Sequence, residues 1–149
     1  ERSLVIKNGI DTIEPISTTY KKGDPIKIHT YPDGQTSGSR FFLHCRNIAS
    51  AVLFLIQKGK LSEYYNIGGT EIENKNLAQK IYDIISKFKK VSPIEFIMTP
   101  HDSLRPGHDL RYSLDDTKLR NLGWTPPHSF ETSLENTIKW TMSNERWLK

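Results

Sequence analysis

Tyr64-Tyr-Asn-Ile-Gly-Gly-Thr-Glu-Ile-Glu-Asn-Lys-Asn-Leu-Ala-Gln-Lys-Ile-Tyr-Asp-Ile-Ile-Ser-Lys-Phe88 is the stretch that decides the fold class. Tyr64 to Ile67 is a short apolar run of the kind that forms a strand. Gly68-Gly69 closes it, at a point where the backbone must bend tightly or approach a neighbour closely. Asn74 is placed to cap a helix, and Leu77, Ile81, Ile84, Ile85 and Phe88 then recur at the spacing of a core-facing helical stripe. Strand, bend and helix in immediate succession predict an α/β to α+β chain rather than a helical bundle or a sandwich.

The flanking sequence repeats that alternation. Asp11 to Lys22 reads as a helix interrupted by Pro15, and Pro25 to His29 as a strand entered from the Gly23-Asp24 turn. The polar loop Thr30 to Ser39 follows, then a buried strand from Arg40 to Cys45. Asn47 is the expected N-cap of an amphipathic helix in which Ile48, Val52, Leu55 and Ile56 share a face, ended by Gly59. Pro93 opens an edge-like strand to Met98, and Asp115 to Leu122 forms a short helix closed by Gly123. A last helix starts near Ser129, with Phe130, Leu134, Ile138 and Thr141 on one face. Trp140 and Trp147 are expected to be packing residues, with ligand stacking as the alternative.

Composition narrows the function classes. With 149 residues, 36% of them hydrophobic, the chain can bury a core. Its mean hydropathy is −0.56, and no apolar run approaches the roughly 18 residues of a membrane span. No membrane role is expected, and no secretory succession is visible at the N-terminus. The single Cys45 has no partner for a disulfide or a CxxC pair, so a reducing, cytoplasmic setting is the expectation. The net charge of +4 comes from 21 basic residues interleaved with 17 acidic ones, not the one-sided charge of a nucleic-acid binder. Lys87, Lys89 and Lys90 cluster at a helix end, where cations complement the dipole. His101, His108 and Asp109 lie in one loop without a helical i, i+4 pair, so no metal site is expected.

The most chemically loaded stretch is Arg105-Pro-Gly-His-Asp-Leu-Arg-Tyr112. Two guanidinium groups, an imidazole and a carboxylate surround a Pro-Gly bend, and a guanidinium fork matches phosphate oxygens two at a time. Such a loop either grips a phosphate or holds its charges in solvent, paired with Asp109.

Five elements in order resemble the C-terminal part of the NAD-dependent sugar-nucleotide epimerases and dehydratases, the extended short-chain dehydrogenase/reductase family. They are Gly38-Ser-Arg-Phe-Phe-Leu-His44, Tyr65-Asn-Ile-Gly-Gly69, Arg105 to Tyr112, Leu122-Gly-Trp-Thr-Pro126, and Ile138-Lys-Trp140 with Glu145-Arg-Trp147. The Arg-Pro-Gly-His-Asp element points to the 4,6-dehydratases acting on nucleotide-linked glucose. The resemblance covers 25–149 as one substrate-binding domain and leaves 1–24 poorly matched. It implies that Arg40, Arg105 and His108 contact a nucleotide diphosphate, and that Asn74 helps to hold it at a helix N-terminus. It also places His29 near the substrate, although the loop that follows His29 is longer than in many dehydratases. Asn74 read as a plain N-cap is the alternative.

Departures from the pattern limit what the resemblance implies. No two of the nine glycines are spaced Gly-x-Gly, and no tyrosine is followed four residues later by lysine, so the family's NAD-binding turn and its catalytic pair are missing. The expected fold is therefore the substrate-binding part of an extended Rossmann-type enzyme without the N-terminal cofactor-binding βαβ units. The expected function is binding of a dTDP- or UDP-glucose type nucleotide-diphosphate sugar, with no catalytic and no cofactor-binding residues in this chain and NAD a requirement of the full-length family. The alternative is a non-enzymatic interaction module, whose partner is a missing Rossmann half or a second copy.

Overall fold

The computed structural model describes residues 25–100 and 109–144. The expected helix over Asp11 to Lys22, together with His101, Arg105, His108 and Trp147, lies outside them. Five strands and four helices follow in the order β1 (Ile26–Thr30), β2 (Ser39–Phe42), α1 (Cys45–Lys58), β3 (Thr70–Glu73), α2 (Asn74–Ser86), β4 (Phe96–Pro100), β5 (Arg111–Tyr112), α3 (Thr117–Asn121) and α4 (Phe130–Ser143). They form two small sheets of mixed α/β character. β1 and β4 pair in parallel, Ile26 opposite Phe96 through Thr30 opposite Pro100. In the other sheet β2 is central, antiparallel to β3 and parallel to β5.

The alternation of β1 explains its place. Ile26, Ile28 and Thr30 are buried while Lys27 is exposed, so one face of the pair meets the core. α2 lays Leu77, Ala78, Ile81 and Ile85 into that core, and Leu134 and Ile138 of α4 meet them there with Phe42. Ser129 caps α4 by accepting the Thr132 N–H at 3.1 Å. A smaller cluster joins Ala51 of α1 to Leu119 and Trp124, with Phe54, Leu55, Tyr65 and Ile67 around it. None of the helices among the described residues is long and apolar enough to cross a membrane.

Several sequence expectations change in the structure. Tyr64 to Ile67 forms no strand, and the strand of this region is Thr70–Glu73, beyond the Gly68-Gly69 bend. The bend turns the chain against β2 so closely that a Cβ on Gly69 would lie 2.1 Å from the Phe42 carbonyl oxygen. Cys45 is the exposed first residue of α1 and not part of a strand, and His44 caps that helix in place of Asn47. Asn47 sits one turn in, buried, where its side chain donates to the His128 carbonyl at 2.8 Å and accepts the His128 N–H at 3.1 Å. Glu73, not Asn74, is the cap of α2. Phe88 is half-exposed at the helix end, Trp140 is half-exposed on α4, and Trp124 is the buried one of the described tryptophans.

The largest correction concerns α1. Of its expected stripe, Ile48, Val52 and Ile56 are exposed and only Leu55 packs against the smaller cluster, while the buried side carries Asn47 and Ala51. β4 runs later than expected, Phe96–Pro100, and β5 was hidden inside a charged loop.

Because Leu77 is completely buried where both halves of the main core meet, Leu77→Ala should destabilise the chain by about 2–5 kcal/mol. Urea unfolding followed by circular dichroism measures this, with the loss appearing as a lower midpoint at unchanged slope.

Candidate functional site

The site is built where β2 passes between the N-terminus of α2 and the segment that closes the Arg105 loop. β5 adds to β2 in parallel, Ser39 opposite Arg111 and Arg40 opposite Tyr112. Gly38 permits that approach: its N–H reaches the His29 carbonyl at 3.4 Å and its carbonyl accepts the Asn74 N–H at 2.8 Å. A Cβ at this position would lie 2.5 Å from the Leu110 carbonyl oxygen, so no larger residue fits without moving the backbone. Gly38, two residues before Arg40 on the chain, thus joins the backbones of His29 and Asn74.

Arg40 is the centre of the arrangement. It is 7% exposed. Its Nη1 donates to the carbonyls of Ser39 at 2.7 Å and Leu110 at 2.6 Å, and its Nη2 donates to the Asp109 carbonyl at 3.1 Å. The guanidinium carbon stands 4.2 Å from the centre of the Tyr112 ring, a cation–π contact that favours the charge where water is excluded. Burial lowers the Arg40 pKa from its ordinary value, opposed by Tyr112, Asp109 and Tyr31. A guanidinium has five N–H donors, so the Nε–H and one Nη2–H remain beyond the carbonyl contacts. The Nε is buried and makes no hydrogen bond.

The other expected residues are arranged around this group. Asn74, 6% exposed, is the first residue of α2, where backbone N–H groups and the helix dipole favour an anion. Its side-chain Nδ2 lies 3.5 Å from the position of a Gly38 Cβ. His29 stands on β1 opposite Thr99. Arg105 and His108 lie outside the described residues, but Asp109, the next residue after His108, has its carbonyl bound by Arg40.

Sequence reading missed the device that fixes the outer face of the sheet. Glu71 on β3 accepts from Arg111 on β5, from Nε at 2.6 Å and from Nη2 at 2.9 Å, and Ser39 Oγ between them donates to the same carboxylate at 2.7 Å. Arg111 thereby binds a protein carboxylate in the open, whereas Arg40 is buried among backbone carbonyls. Nothing local marks Glu71 in the sequence, because its partners are 32 and 40 residues away. No group of three or more metal-ligating side chains occurs among the described residues.

No family model matches the chain. Among curated proteins, dTDP-glucose 4,6-dehydratase 1 of Escherichia coli K12 is 35% identical over 150 residues, taking in 97% of this chain and 37% of that protein. Among solved structures, dTDP-glucose 4,6-dehydratase of Bacillus anthracis in complex with NAD aligns with a TM-score of 0.67 at 32% identity, over 93% of this chain and 42% of that one. UDP-glucose 4-epimerase of Bifidobacterium longum in complex with NAD+ and UDP has the same fold, with a TM-score of 0.67 at 16% identity, over 92% of this chain and 41% of that one. The fold is that of part of an extended Rossmann-type dehydrogenase/reductase. Within that class the chain is related to the NAD-dependent sugar-nucleotide epimerases and dehydratases, and in sequence to the dTDP-glucose 4,6-dehydratases. It spans about two-fifths of the length of these relatives.

Two measurements test this geometry. The Arg111 and Ser39 contacts hold Glu71 down to a pKa of about 2 from an ordinary 4.5. A depressed carboxylate stabilises the fold above its unfolded pKa, and that contribution disappears as pH falls through the folded one. The melting temperature should therefore drop between pH 4.5 and pH 2 by more in the wild type than in Glu71→Gln. Arg40→Met, which removes the bridges to Asp109 and Leu110, should cost about 1–3 kcal/mol and speed hydrogen exchange at Arg111 and Tyr112 relative to the amides of α2.

Proposed function

We propose that the chain binds a nucleotide-diphosphate sugar of the dTDP- or UDP-glucose type, as the substrate-holding part of a 4,6-dehydratase or epimerase, and is catalytically inactive alone. The observation that carries this reading is the unspent fork of Arg40. Its carbonyl contacts lock the guanidinium in place and leave a buried Nε–H without a partner, two residues along β2 from Gly38, whose carbonyl accepts from the first N–H of α2. A fixed pair of charged donors next to a helix N-terminus suits a diphosphate, which supplies paired anionic oxygens. Asn74 adds an amide at the same helix end, and His29 stands across Gly38 from it. Arg105 and His108, outside the described residues, are the further contacts that this reading assigns.

The residues described do not fit NAD. The strand-to-helix passages, β2 into α1 through Leu43 and His44 and β3 directly into α2, contain no glycine. Neither allows the close backbone approach that a dinucleotide pyrophosphate requires. Cofactor binding, and with it the redox chemistry at the sugar, belongs to a portion other than the described residues, in a soluble cytoplasmic enzyme.

Calorimetric titration of the chain with dTDP and with UDP tests the reading. Saturable binding is expected, weakened about 10–100-fold in Arg105→Ala and in Asn74→Ala, the loss of one charge-assisted or site-forming hydrogen bond. Arg40→Lys should also weaken it, because an ammonium keeps the charge and loses the fork. Dehydratase turnover of dTDP-glucose with added NAD should be absent. Failure to bind either nucleotide would contradict the binding reading, and turnover would contradict the inactivity.

A further inference from the structure

We propose that Glu73 biases the site toward a diphosphate that carries a sugar, and against the free nucleoside diphosphate or triphosphate. The inference rests on the binding reading above and adds a specificity-determining residue to it. Glu73 ends β3 and caps α2, so it directly precedes Asn74, the residue whose amide that reading assigns to the diphosphate. Its side chain makes no capping bond to the helix. Instead the Ser37 hydroxyl, 3% exposed as a residue, donates to Glu73 Oε2 at 3.2 Å and accepts the Lys75 N–H at 3.4 Å. A buried hydroxyl thereby ties the carboxylate to the first turn of α2.

The charge of this carboxylate is not neutralised. Glu71, two positions earlier on β3, is engaged by both the Arg111 guanidinium and Ser39 Oγ. Glu73 lies opposite Ser39 in the sheet and is exposed, and among the described residues no lysine or arginine forms an ion pair with it. The next cation along the chain, Lys75, has its Nζ 5.9 Å from the centre of the Phe96 ring. Arg40, on the neighbouring strand, gives its Nη donors to backbone carbonyls. One strand therefore carries two carboxylates, the first spent on the fold and the second left as a fixed negative charge next to Asn74.

Such a charge sorts ligands by what ends the diphosphate. A terminal phosphate has a second ionisation at about pH 6, so a free nucleoside diphosphate carries about one negative charge more than the same diphosphate esterified to a sugar. Like charges set side by side are a device of discrimination, because they cost the wrong ligand and leave the right one alone. A carboxylate also accepts hydrogen bonds and donates none. Sugar hydroxyls can supply those bonds, and an ionised phosphate cannot. The plain alternative is that Glu73 only complements the dipole of α2, in which case ligand preference is indifferent to it.

The test is calorimetric titration of the full chain with dTDP-glucose, dTDP and dTTP, repeated on Glu73→Gln, which keeps the size of the side chain and an acceptor for Ser37 while removing the charge. In the variant dTDP should bind about 3–5-fold tighter, the worth of one partly screened charge pair. The gain should be larger for dTTP, and dTDP-glucose should gain nothing or weaken. The shift in preference should shrink at about 0.5 M salt, where exposed charges are screened. The proposal is overturned if the affinity ratio of dTDP-glucose to dTDP stays within about twofold of the wild type, whatever the melting temperature of the variant, since Glu73 would then serve α2 alone. It is also overturned if the variant weakens all three ligands alike. A wild type that binds none of the three overturns the binding reading together with this one, whereas binding with an unaltered ratio overturns this one alone.

Discussion

A guanidinium buried among backbone carbonyls constrains everything around it. Arg40 enters from the central strand β2 and takes the carbonyls of Asp109 and Leu110, which belong to a segment some 70 residues later in the chain. Charged hydrogen bonds in a place that water does not reach are strong, and their loss would leave a buried charge without compensation. The parallel pairing of β5 with β2 and the stacking of Tyr112 on the guanidinium both depend on that contact. Gly38 is part of the same constraint, because only a residue without a Cβ lets the Leu110 carbonyl approach so near.

This constraint joins architecture to function. An arginine held by three carbonyl contacts on its Nη atoms loses little conformational freedom when a ligand arrives, so its remaining donors are preorganised. Arg111, on β5 beside Tyr112, is exposed, pairs with Glu71 through Nε and Nη2 and donates from Nη1 to Ser113 Oγ. Arg40 is buried and its partners are backbone carbonyls.

Local pattern revealed much of this and missed what is decided over distance. The stripe Leu77, Ile81, Ile85 and the Ser129 cap were legible because helix period and cap chemistry are encoded within a few residues. Of the α1 stripe only Leu55 turned inward, since the local pattern does not say which of two adjoining apolar faces, that of Ala51 and Leu55 or that of Val52 and Ile56, the rest of the fold covers. Tyr64 to Ile67 carried the composition of a strand but lacks a neighbour to pair with, and a strand is defined by its partner. β5 was invisible inside a charged loop, because two residues suffice for a bridge when Arg40 supplies the anchor. The expectation that His29, Arg40 and Asn74 serve one site came from the resemblance to sugar-nucleotide enzymes, and the structure adds that Gly38 bonds the backbones of His29 and Asn74.

The chain spans about two-fifths of the length of its relatives, and the binding proposed for it rests on Arg40. The central claim is that Arg40 keeps a preset donor fork for a diphosphate, and side-chain NMR of arginine Nε–H groups during titration with dTDP tests it most directly. The Arg40 Nε–H resonance should shift and saturate with ligand while that of Arg111, held by Glu71, stays in place. An Arg40 resonance unmoved at saturating dTDP would contradict the account.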